Sequence, residues 1–207
     1  KYWQCRWWTV TRKQTTILCF VLYYENLDNF MIQILHNSKT ESYKQLKKII
    51  LSDNFSWHYQ ETTTTNDDLK YEGHQNVCNL GHNFLVRPEI NGYSKVNSKG
   101  FPLAMNVVRE ILSKNGFPDD TYFFLRINAN CSLPVNGDQF SIPHTDHDFP
   151  HVNFLTYLTD NGGRTFVEGE EHDPSEDDAI IFTGKHYLEL PKKGRRIVLV
   201  ATMFGYT

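Results

Sequence analysis

Apolar positions near the start of the chain predict a strand followed by a helix. The segment from Thr15 to Tyr24 is an almost uncharged apolar run, which we interpret as an edge strand of the core sheet. This run is shorter than the roughly twenty residues that a bilayer-spanning helix needs. From Phe30 onward, Met31, Ile34 and Leu35 recur at intervals of three and four. That spacing puts them on one face of a helix and predicts a helix that begins at Phe30.

Two further helices are predicted before the chain turns to strands. One runs from about Glu41 to Leu51, with its apolar residues on one face. The other runs from Pro102 to Asn115 and carries a continuous apolar stripe. Gly116 suits the left-handed position just past a helix end, and Pro118 blocks any continuation.

A strand with one polar face follows these helices. From Thr121 to Asn130, the polar residues Arg126, Asn128 and Asn130 alternate with apolar ones. Polar side chains on a buried strand are costly unless they line a wet pocket or are fully hydrogen-bonded. We therefore expect this face to border the functional site. The alternative is an edge strand with one solvated face.

Short apolar segments follow along the rest of the chain. Asn153 to Thr159 and Arg164 to Val167 read as strands, and Asp160 to Gly163 supplies turn residues that favour a hairpin between them. Ala179 to Phe182 and Ile197 to Thr202 read as two more strands. Helices followed by about seven short strands predict a mainly β, α+β fold, namely a double-stranded β-helix (jelly-roll) with N-terminal helices that brace one sheet.

Three side chains suggest a metal site. His144 and Asp146 stand two positions apart, so in an extended segment they point to the same face. His186 precedes a later apolar strand and is the candidate third ligand. Two histidines and one carboxylate form the open ligand set of non-haem Fe(II) oxygenases. The alternative is a solvated turn, because further histidine and aspartate residues crowd the stretch around His144.

The order of these residues resembles that of the 2-oxoglutarate-dependent Fe(II) dioxygenases, in particular the prolyl-4-hydroxylase-like branch. The segments that carry the resemblance are His144-x-Asp146, Tyr157-Leu158-Thr159, Gly162-Gly163-x-Thr165, Ala179 to Phe182, His186 and Gly194-x-Arg196. A weaker likeness to small oxygenases of marine bacterial viruses rests on Leu125 to Asn130 and on Asp53 to Trp57.

The resemblance implies a cofactor site. His144, Asp146 and His186 would hold Fe(II), and O2 and 2-oxoglutarate would take the open positions. Arg196 directly precedes the last apolar strand. At that place the family carries a basic residue that binds the far carboxylate of 2-oxoglutarate. Arg195 is the competitor for this role, and strand alternation sends it to the opposite face.

The same resemblance gives Tyr157 a role and the protein a reaction. Tyr157 takes the place of a family tyrosine that donates its hydroxyl to the 2-oxoglutarate carboxylate, although an ordinary strand aromatic with a surface hydroxyl is the alternative. The implied reaction is hydroxylation of a C–H bond with release of succinate and CO2. Peptidyl proline, a free amino acid and another small molecule stay open as substrates. The alternative functions are a cupin-like metal enzyme that does not use 2-oxoglutarate and a non-catalytic jelly-roll binding module.

Length, charge and cysteine content set the wider expectations. The 207 residues suit a single oxygenase domain (1–207), in which 1–120 supplies the N-terminal strand and helices and 121–207 the metal-binding jelly-roll core. A formal net charge of −3 gives no electrostatic reason to expect a nucleic-acid partner. The short apolar run gives no reason to expect a membrane partner. The four cysteines lie far apart, which favours reduced thiols and a cytoplasmic protein.

A second metal site is a weaker hypothesis. His74, Cys78 and His82 recur every four residues and would line one face of a helix as metal ligands. Gly73 and Gly81 disfavour that helix, so scattered loop residues are the preferred interpretation.

Overall fold

The computed structural model describes residues 32–62 and 71–205. Its helices are α1 (Glu41–Ile50), α2 (Pro88–Asn91) and α3 (Phe101–Lys114), with a 3-10 turn at Asp119–Thr121. Its strands are β1 (Gln33–Leu35), β2 (His58–Gln60), β3 (His74–Gln75), β4 (Asn79–Val86), β5 (Lys95–Val96), β6 (Tyr122–Ser132), β7 (Phe140–Ser141), β8 (Val152–Tyr157), β9 (Thr165–Val167), β10 (Glu170–His172), β11 (Ala179–Phe182), β12 (His186–Leu188) and β13 (Arg196–Gly205).

Most of these strands belong to one large antiparallel sheet. Its order is β1-β11-β8-β13-β6-β4-β2, and β5 also pairs with β4. A smaller sheet has the order β10-β9-β12, and β3 pairs with β7 in parallel. Over the described residues, this mostly β architecture with few helices confirms the predicted jelly-roll class.

An apolar cluster joins the two sheets. Alternate residues of β8, β11 and β13 meet β9 there, as the two-residue period of a strand requires. The buried members of the cluster are Leu155, Tyr157, Val167, Ile180, Phe182, Val198 and Val200. Because these side chains come from both sheets, their burial holds the sheets face to face.

The two long helices confirm the helical predictions for the middle of the chain. Helix α1 begins after Thr40, whose hydroxyl accepts a hydrogen bond from the Tyr43 backbone N–H. It packs on α3, which in turn contacts β4 and β6 of the large sheet. The inward stripe of α3 includes Val107, Val108 and Ile111. Both helices therefore brace the sheet from which one wall of the functional site is built.

The helix predicted to begin at Phe30 is wrong over the residues that the structure describes. Gln33–Leu35 form β1, which pairs with β11 at the edge of the large sheet. Leu35 is buried, but Ile34 is 68% exposed, so their spacing does not mark a buried helix face. The unpaired edge of β11 offers hydrogen-bond partners to an extended chain, and this tertiary contact overrides the local pattern.

The hairpin predicted across Asp160 to Gly163 is also wrong. Strand β8 lies in the large sheet, whereas β9 pairs with β10 and β12 in the small sheet. Gly162 and Gly163 do adopt positive φ, at 72° and 88°. The turn therefore carries the chain from one sheet to the other. Turn preferences do not distinguish such a crossing from a hairpin, since both need left-handed residues.

The large sheet is not confined to the segment after residue 120. Strands β1, β2, β4 and β5 all precede that position, and β4 pairs directly with β6. The strand predicted from Thr15 to Tyr24 lies outside the described residues. Cys78 and Cys131, the two cysteines within the described ranges, form no disulfide. None of the helices in residues 32–62 and 71–205 has the length and apolar character needed to cross a membrane.

Candidate metal centre

His144 and His186 face each other across a single antiparallel bridge. The backbone N–H of each residue donates to the carbonyl oxygen of the other, and both hydrogen bonds measure 2.9 Å. The centroids of the two imidazole rings lie 4.6 Å apart. His186 begins β12, whereas His144 follows β7 in an irregular stretch. One backbone contact therefore positions two side chains that are remote in sequence.

Asp146 completes the group. The residue is only 9% exposed, and its Oδ2 atom lies 3.6 Å from His186 Nε2. One ligand atom from each of His144, Asp146 and His186 lies within 4.8 Å of the others. Over the described ranges, this is the one group of three such side chains that could hold a metal ion. The neighbouring His147 and His151 are buried as well, so this stretch is not a solvated turn.

Backbone carbonyls determine which ring nitrogens face the centre. His144 Nδ1 lies 2.9 Å from the Ile142 carbonyl oxygen, and His186 Nδ1 lies 3.3 Å from that of Gly184. A carbonyl oxygen only accepts, so each Nδ1 carries a proton, and in the neutral ring Nε2 is then the nitrogen that presents a lone pair. Burial, reinforced by the neighbouring His144, lowers the pKa of His186 to about 4 and keeps it neutral at pH 7. A neutral imidazole is the form that binds a metal.

Two arginines hold Asp146 in place. Arg126 Nη2 donates to Asp146 Oδ1 at 2.7 Å, and Arg87 Nη1 donates to the Asp146 backbone oxygen at 2.8 Å. Burial alone would raise the pKa of Asp146, but the positive charges beside it, with Arg126 the largest and Arg87 among them, outweigh burial and hold that pKa well below its usual range. The carboxylate is therefore ionised, with Oδ1 engaged by a guanidinium and Oδ2 on the side of His186.

Sequence reasoning found one of these arginines and missed the other. Arg126, Asn128 and Asn130, which the sequence predicts to border the functional site, line the same cavity as the three candidate ligands. Arg87 precedes the short helix α2, where no periodic pattern marks it. Its contact with Asp146 is long-range, so only the folded chain shows it.

Arg196 is buried at the start of β13. It is 3% exposed; its Nε donates to the Gly163 carbonyl oxygen and its Nη2 to Thr165 Oγ1, both at 2.9 Å. No carboxylate within the described ranges pairs with it. A buried cation without an anionic partner is unstable relative to solvent, and an incoming anion would relieve that cost. Arg195, the competitor, is exposed.

Tyr157 is linked to Arg196 through Thr165, because both side chains are hydrogen-bonded to Thr165 Oγ1. The tyrosine is 1% exposed and its hydroxyl oxygen lies 2.7 Å from Thr165 Oγ1, so it is not a surface aromatic. The guanidinium carbon of Arg196 lies 5.2 Å from the centre of the Tyr157 ring. Thr165 lines the cavity, whereas Tyr157 stands behind it. When both neighbours donate to Thr165 Oγ1, its own proton is left free to donate into the cavity.

These side chains open into one cavity of about 660 Å³, a volume typical of small-molecule sites. The three candidate ligands, Arg196 and Thr165 all line it. Apolar residues of β8 and β13 supply a dry part of the wall, namely Leu155, Val198 and Val200.

The second metal hypothesis is not supported by the structure. His74 lies in β3, where its Nδ1 is 2.8 Å from the Ser141 carbonyl oxygen. His82 lies in β4, where its ring is hydrogen-bonded to Ser98 Oγ. Cys78 is exposed between these strands. The three side chains lie on extended chain and do not share a helix face.

Comparison with known proteins identifies solved structures that share this fold. No protein-family model and no curated protein matches the sequence. An oxidoreductase of the 2OG-Fe(II) oxygenase family from Burkholderia pseudomallei matches with a TM-score of 0.61 and 13% identity, over 90% of this chain and 92% of its own. A prolyl hydroxylase from Trichoplax adhaerens, solved with a hypoxia-inducible-factor peptide, matches with a TM-score of 0.53 and 14% identity, over 95% and 94% of the two chains.

A third similar structure is named as an epimerase and not as a hydroxylase. The non-haem α-ketoglutarate-dependent epimerase of nogalamycin biosynthesis matches with a TM-score of 0.55 and 10% identity, over 91% of this chain and 83% of its own. The chain has the fold of the 2-oxoglutarate/Fe(II) oxygenases. Because this fold carries both hydroxylases and an epimerase, the chemistry has to be argued from the site itself.

The donor set fits the metal that the fold implies. Two imidazole Nε2 atoms and one carboxylate oxygen are the 2-His-1-carboxylate ligands of non-haem Fe(II). A structural zinc site would need a fourth protein ligand, and the described ranges offer only these three at the centre. The unpaired guanidinium of Arg196 in the same cavity fits a carboxylate of the cosubstrate.

Proposed function

We propose that the protein is an Fe(II)- and 2-oxoglutarate-dependent dioxygenase that hydroxylates a C–H bond of its substrate. The observation that carries this proposal is the presence, in one cavity, of an open three-ligand group and a buried guanidinium without an anionic partner. A metal enzyme that does not use 2-oxoglutarate would have no need for the second feature. A non-catalytic binding module would have no need for the first.

Each of the three ligands would bind iron through one defined atom. His144 and His186 would bind through Nε2, since each Nδ1 is engaged by a carbonyl. Asp146 would bind through Oδ2, since Arg126 occupies Oδ1. When bound, Fe(II) and 2-oxoglutarate supply the oxidising chemistry that uses O2 and releases succinate and CO2. The chain itself contributes geometry, because its backbone contacts set the ligand positions in advance.

Arg196 and Thr165 would bind the far carboxylate of 2-oxoglutarate. A guanidinium forms charge-assisted hydrogen bonds to a carboxylate, and the Thr165 hydroxyl would add one more donor when Tyr157 donates to it. Tyr157 would act through Thr165, to which its hydroxyl is hydrogen-bonded. The apolar residues of β8 and β13 would exclude water beside this anchor.

The substrate would be a small molecule or a peptide. The prolyl hydroxylase from Trichoplax adhaerens was solved with a peptide fragment, and the cavity volume of about 660 Å³ also suits a small molecule. We expect no nucleic-acid partner, because a net charge of −3 gives no overall electrostatic attraction to one.

Anaerobic titration of the metal-free protein with Fe(II) and then 2-oxoglutarate tests the proposal. We expect a weak visible charge-transfer band from iron to 2-oxoglutarate, followed by succinate formation when O2 is admitted. In His144→Ala and Asp146→Ala, we expect iron binding and the band to be lost while the far-UV spectrum stays native.

Other outcomes would select another function. Iron binding without the band would favour the cupin-like enzyme. A protein that binds neither metal nor 2-oxoglutarate would have only the fold of the family, as a binding module would. Unchanged iron stoichiometry in both alanine variants would remove the three-ligand assignment.

A further inference from the structure

The segment Asp146-His147 is held by two residues of the large sheet. Arg126 on β6 and Thr202 on β13 are paired across the two strands, so their side chains project from the same face. Arg126 Nη2 donates to Asp146 Oδ1 at 2.7 Å, and Thr202 Oγ1 lies 2.8 Å from His147 Nε2. The sheet therefore restrains the side chain of the candidate metal ligand and that of the residue after it.

Two residues at the start of α2 hold the same segment. Arg87 Nη1 donates to the backbone oxygen of Asp146 at 2.8 Å, and Glu89 Oε1 is hydrogen-bonded to His147 Nδ1. Arg87 Nη2 lies 3.7 Å from Asp146 Oδ1, which is too far for a hydrogen bond. Arg87 therefore restrains the main chain of Asp146, whereas Arg126 restrains its carboxylate.

The contact between Arg126 and Asp146 is buried and charge-assisted. The side chain of Arg126 is 13% exposed and that of Asp146 is 7% exposed. A hydrogen bond from a guanidinium to a carboxylate is roughly twice as strong as a neutral one, and water has little access to compete with it here. Oδ1 is thus the oxygen that is held, while Oδ2 is the oxygen that lies 3.6 Å from His186 Nε2.

The difference between the two oxygens matters for the number of metal ligands. A carboxylate can bind one metal ion through one oxygen or through both. An octahedral ion held by His144, His186 and Asp146 Oδ2 keeps three open positions, and binding through Oδ1 as well would fill one of them. The proposed reaction needs all three, because 2-oxoglutarate binds through two oxygens and O2 takes the remaining position.

We propose that Arg126 is a positioning residue that limits Asp146 to a single metal-binding oxygen and so keeps one further position on the ion open. This inference rests on the proposed function, because it takes His144, Asp146 and His186 to be the metal ligands. The hydrogen bond from Arg126 occupies Oδ1. Without it, Oδ1 would be free to bind the ion, since Arg87 lies too far from this oxygen to take over.

Counting the water ligands of bound Mn(II) tests this inference. Mn(II) stands in for Fe(II) because it accepts imidazole and carboxylate ligands, and its EPR lines broaden in ¹⁷O-enriched water according to the number of bound waters. We expect three water ligands in the unaltered protein and two in Arg126→Met, where Oδ1 would take the third position. Three water ligands in Arg126→Met would overturn the inference.

Arg87→Met is the matched control. It removes the other guanidinium that contacts Asp146 but leaves the hydrogen bond to Oδ1 in place. We expect this variant to keep three water ligands. Two water ligands in both variants would attribute the loss to a general loosening of Asp146 and would contradict a specific role for Arg126.

Arg126→Gln is a second variant for use if Arg126→Met does not fold, as judged by its far-UV spectrum. Glutamine is polar but shorter than arginine, so its amide should not reach Asp146 Oδ1. We again expect two water ligands on Mn(II), and a count of three would overturn the inference.

Addition of 2-oxoglutarate shows whether the open position depends on Arg126 when the cosubstrate is bound. In the unaltered protein we expect one water ligand to remain, whereas in Arg126→Met we expect none. One remaining water ligand in both proteins would show that 2-oxoglutarate displaces Oδ1, so that Arg126 is not needed to keep the position open.

The same measurements separate the failure of this inference from that of the proposed function. If the unaltered protein loses two of three water ligands to 2-oxoglutarate, the proposed metal and cosubstrate binding stands whatever Arg126→Met shows. If Mn(II) binds but 2-oxoglutarate displaces no water, the proposed function fails, while the water counts without 2-oxoglutarate still test Arg126. If the unaltered protein binds no Mn(II), the ligand assignment and the role of Arg126 fail together.

Discussion

Arg195 and Arg196 are neighbours in sequence with opposite surroundings. Arg195 is exposed, while Arg196 is buried against Gly163 and Thr165. Arg196→Ala should raise the Kd for 2-oxoglutarate by roughly 10- to 100-fold, since charge-assisted hydrogen bonds contribute about 1.5–3 kcal/mol. Arg195→Ala should change it less than about twofold. Titration of the Fe(II)-loaded protein with 2-oxoglutarate measures both, and the reverse ranking would mean that the other face of β13 binds the cosubstrate.

Single residues also show which parts of the candidate site can be predicted from the sequence. The His-x-Asp spacing and strand alternation at Arg196 are local features, and the structure places these residues at one cavity. The contact of Arg87 with Asp146 joins residues 59 positions apart, and no local pattern encodes it.

At the scale of elements, the turn between β8 and β9 constrains the anchor. Gly163 has φ +88°, and a Cβ there would lie 2.6 Å from the Glu189 carbonyl oxygen and 2.7 Å from Arg196 Cδ. Gly162 has φ +72° and no heavy atom within 4 Å of its own Cβ position. The two glycines therefore form a matched pair, alike in backbone conformation and different in crowding.

Gly163→Ala should weaken 2-oxoglutarate binding, whereas Gly162→Ala should not. Both substitutions should lower the free energy of unfolding by about 1–2 kcal/mol through left-handed backbone strain. Only the methyl group at 163 should also displace Arg196 and the chain at Glu189. Chemical denaturation and 2-oxoglutarate titration of the two variants separate these effects. Equal loss of binding in both would attribute it to general strain in the turn.

Helix α1 is tied to the loop before β11 by Asp177. Tyr43 donates its hydroxyl to Asp177 Oδ1 at 2.7 Å, Lys39 Nζ lies 3.1 Å from Oδ2, and Lys47 pairs with the same carboxylate. Burial alone would raise the pKa of Asp177, but the hydrogen bonds from these three side chains outweigh it and lower the pKa. The stabilisation is thus present above the unfolded pKa of about 4 and is lost as the pH falls through the lower folded value.

Asp177→Asn should lower the free energy of unfolding at pH 7 by about 1 kcal/mol, a modest value because the pair is partly solvated. The loss should begin to shrink as the pH falls below 4, where the unfolded chain takes up a proton, and should vanish only below the lower folded pKa, where both proteins carry a neutral side chain. Urea unfolding at pH 7 and at pH 3 measures it. Asp120→Asn, at an exposed carboxylate, is the control. A loss that is the same at both pH values would show that the charge of Asp177 is not its source.

The sequence predictions that failed concern how secondary-structure elements pair with one another. The apolar spacing at Ile34 and Leu35 fits a helix, yet pairing with β11 makes this segment a strand. The glycines at 162 and 163 identify a turn but do not specify which sheet the chain enters next. Helices α1 and α3 were predictable because their stripes are long and their ends are marked, so the local signal agrees with the fold.

At the scale of the whole molecule, ligand binding should stabilise the barrel. A ligand that binds only the folded protein adds about 2.7 kcal/mol at 100 times its Kd, or roughly 5–10 °C in Tm for a chain of this size. Zn(II) should raise the Tm by one such increment, and 2-oxoglutarate should raise the Tm by a second. Arg196→Ala should keep the first and lose most of the second, as measured by thermal unfolding. A 2-oxoglutarate increment that survives in Arg196→Ala would place its anchor elsewhere.

The bridge between His144 and His186 has a consequence for how such a protein can diversify. Two backbone hydrogen bonds fix the relative position of these residues, so the centre depends on the register at one point of contact and not on the length of chain between them. The loop between β10 and β11 can therefore be lengthened, shortened or exchanged without moving either imidazole. A new substrate preference could then be acquired by grafting a loop, with the oxygen-handling centre inherited unchanged.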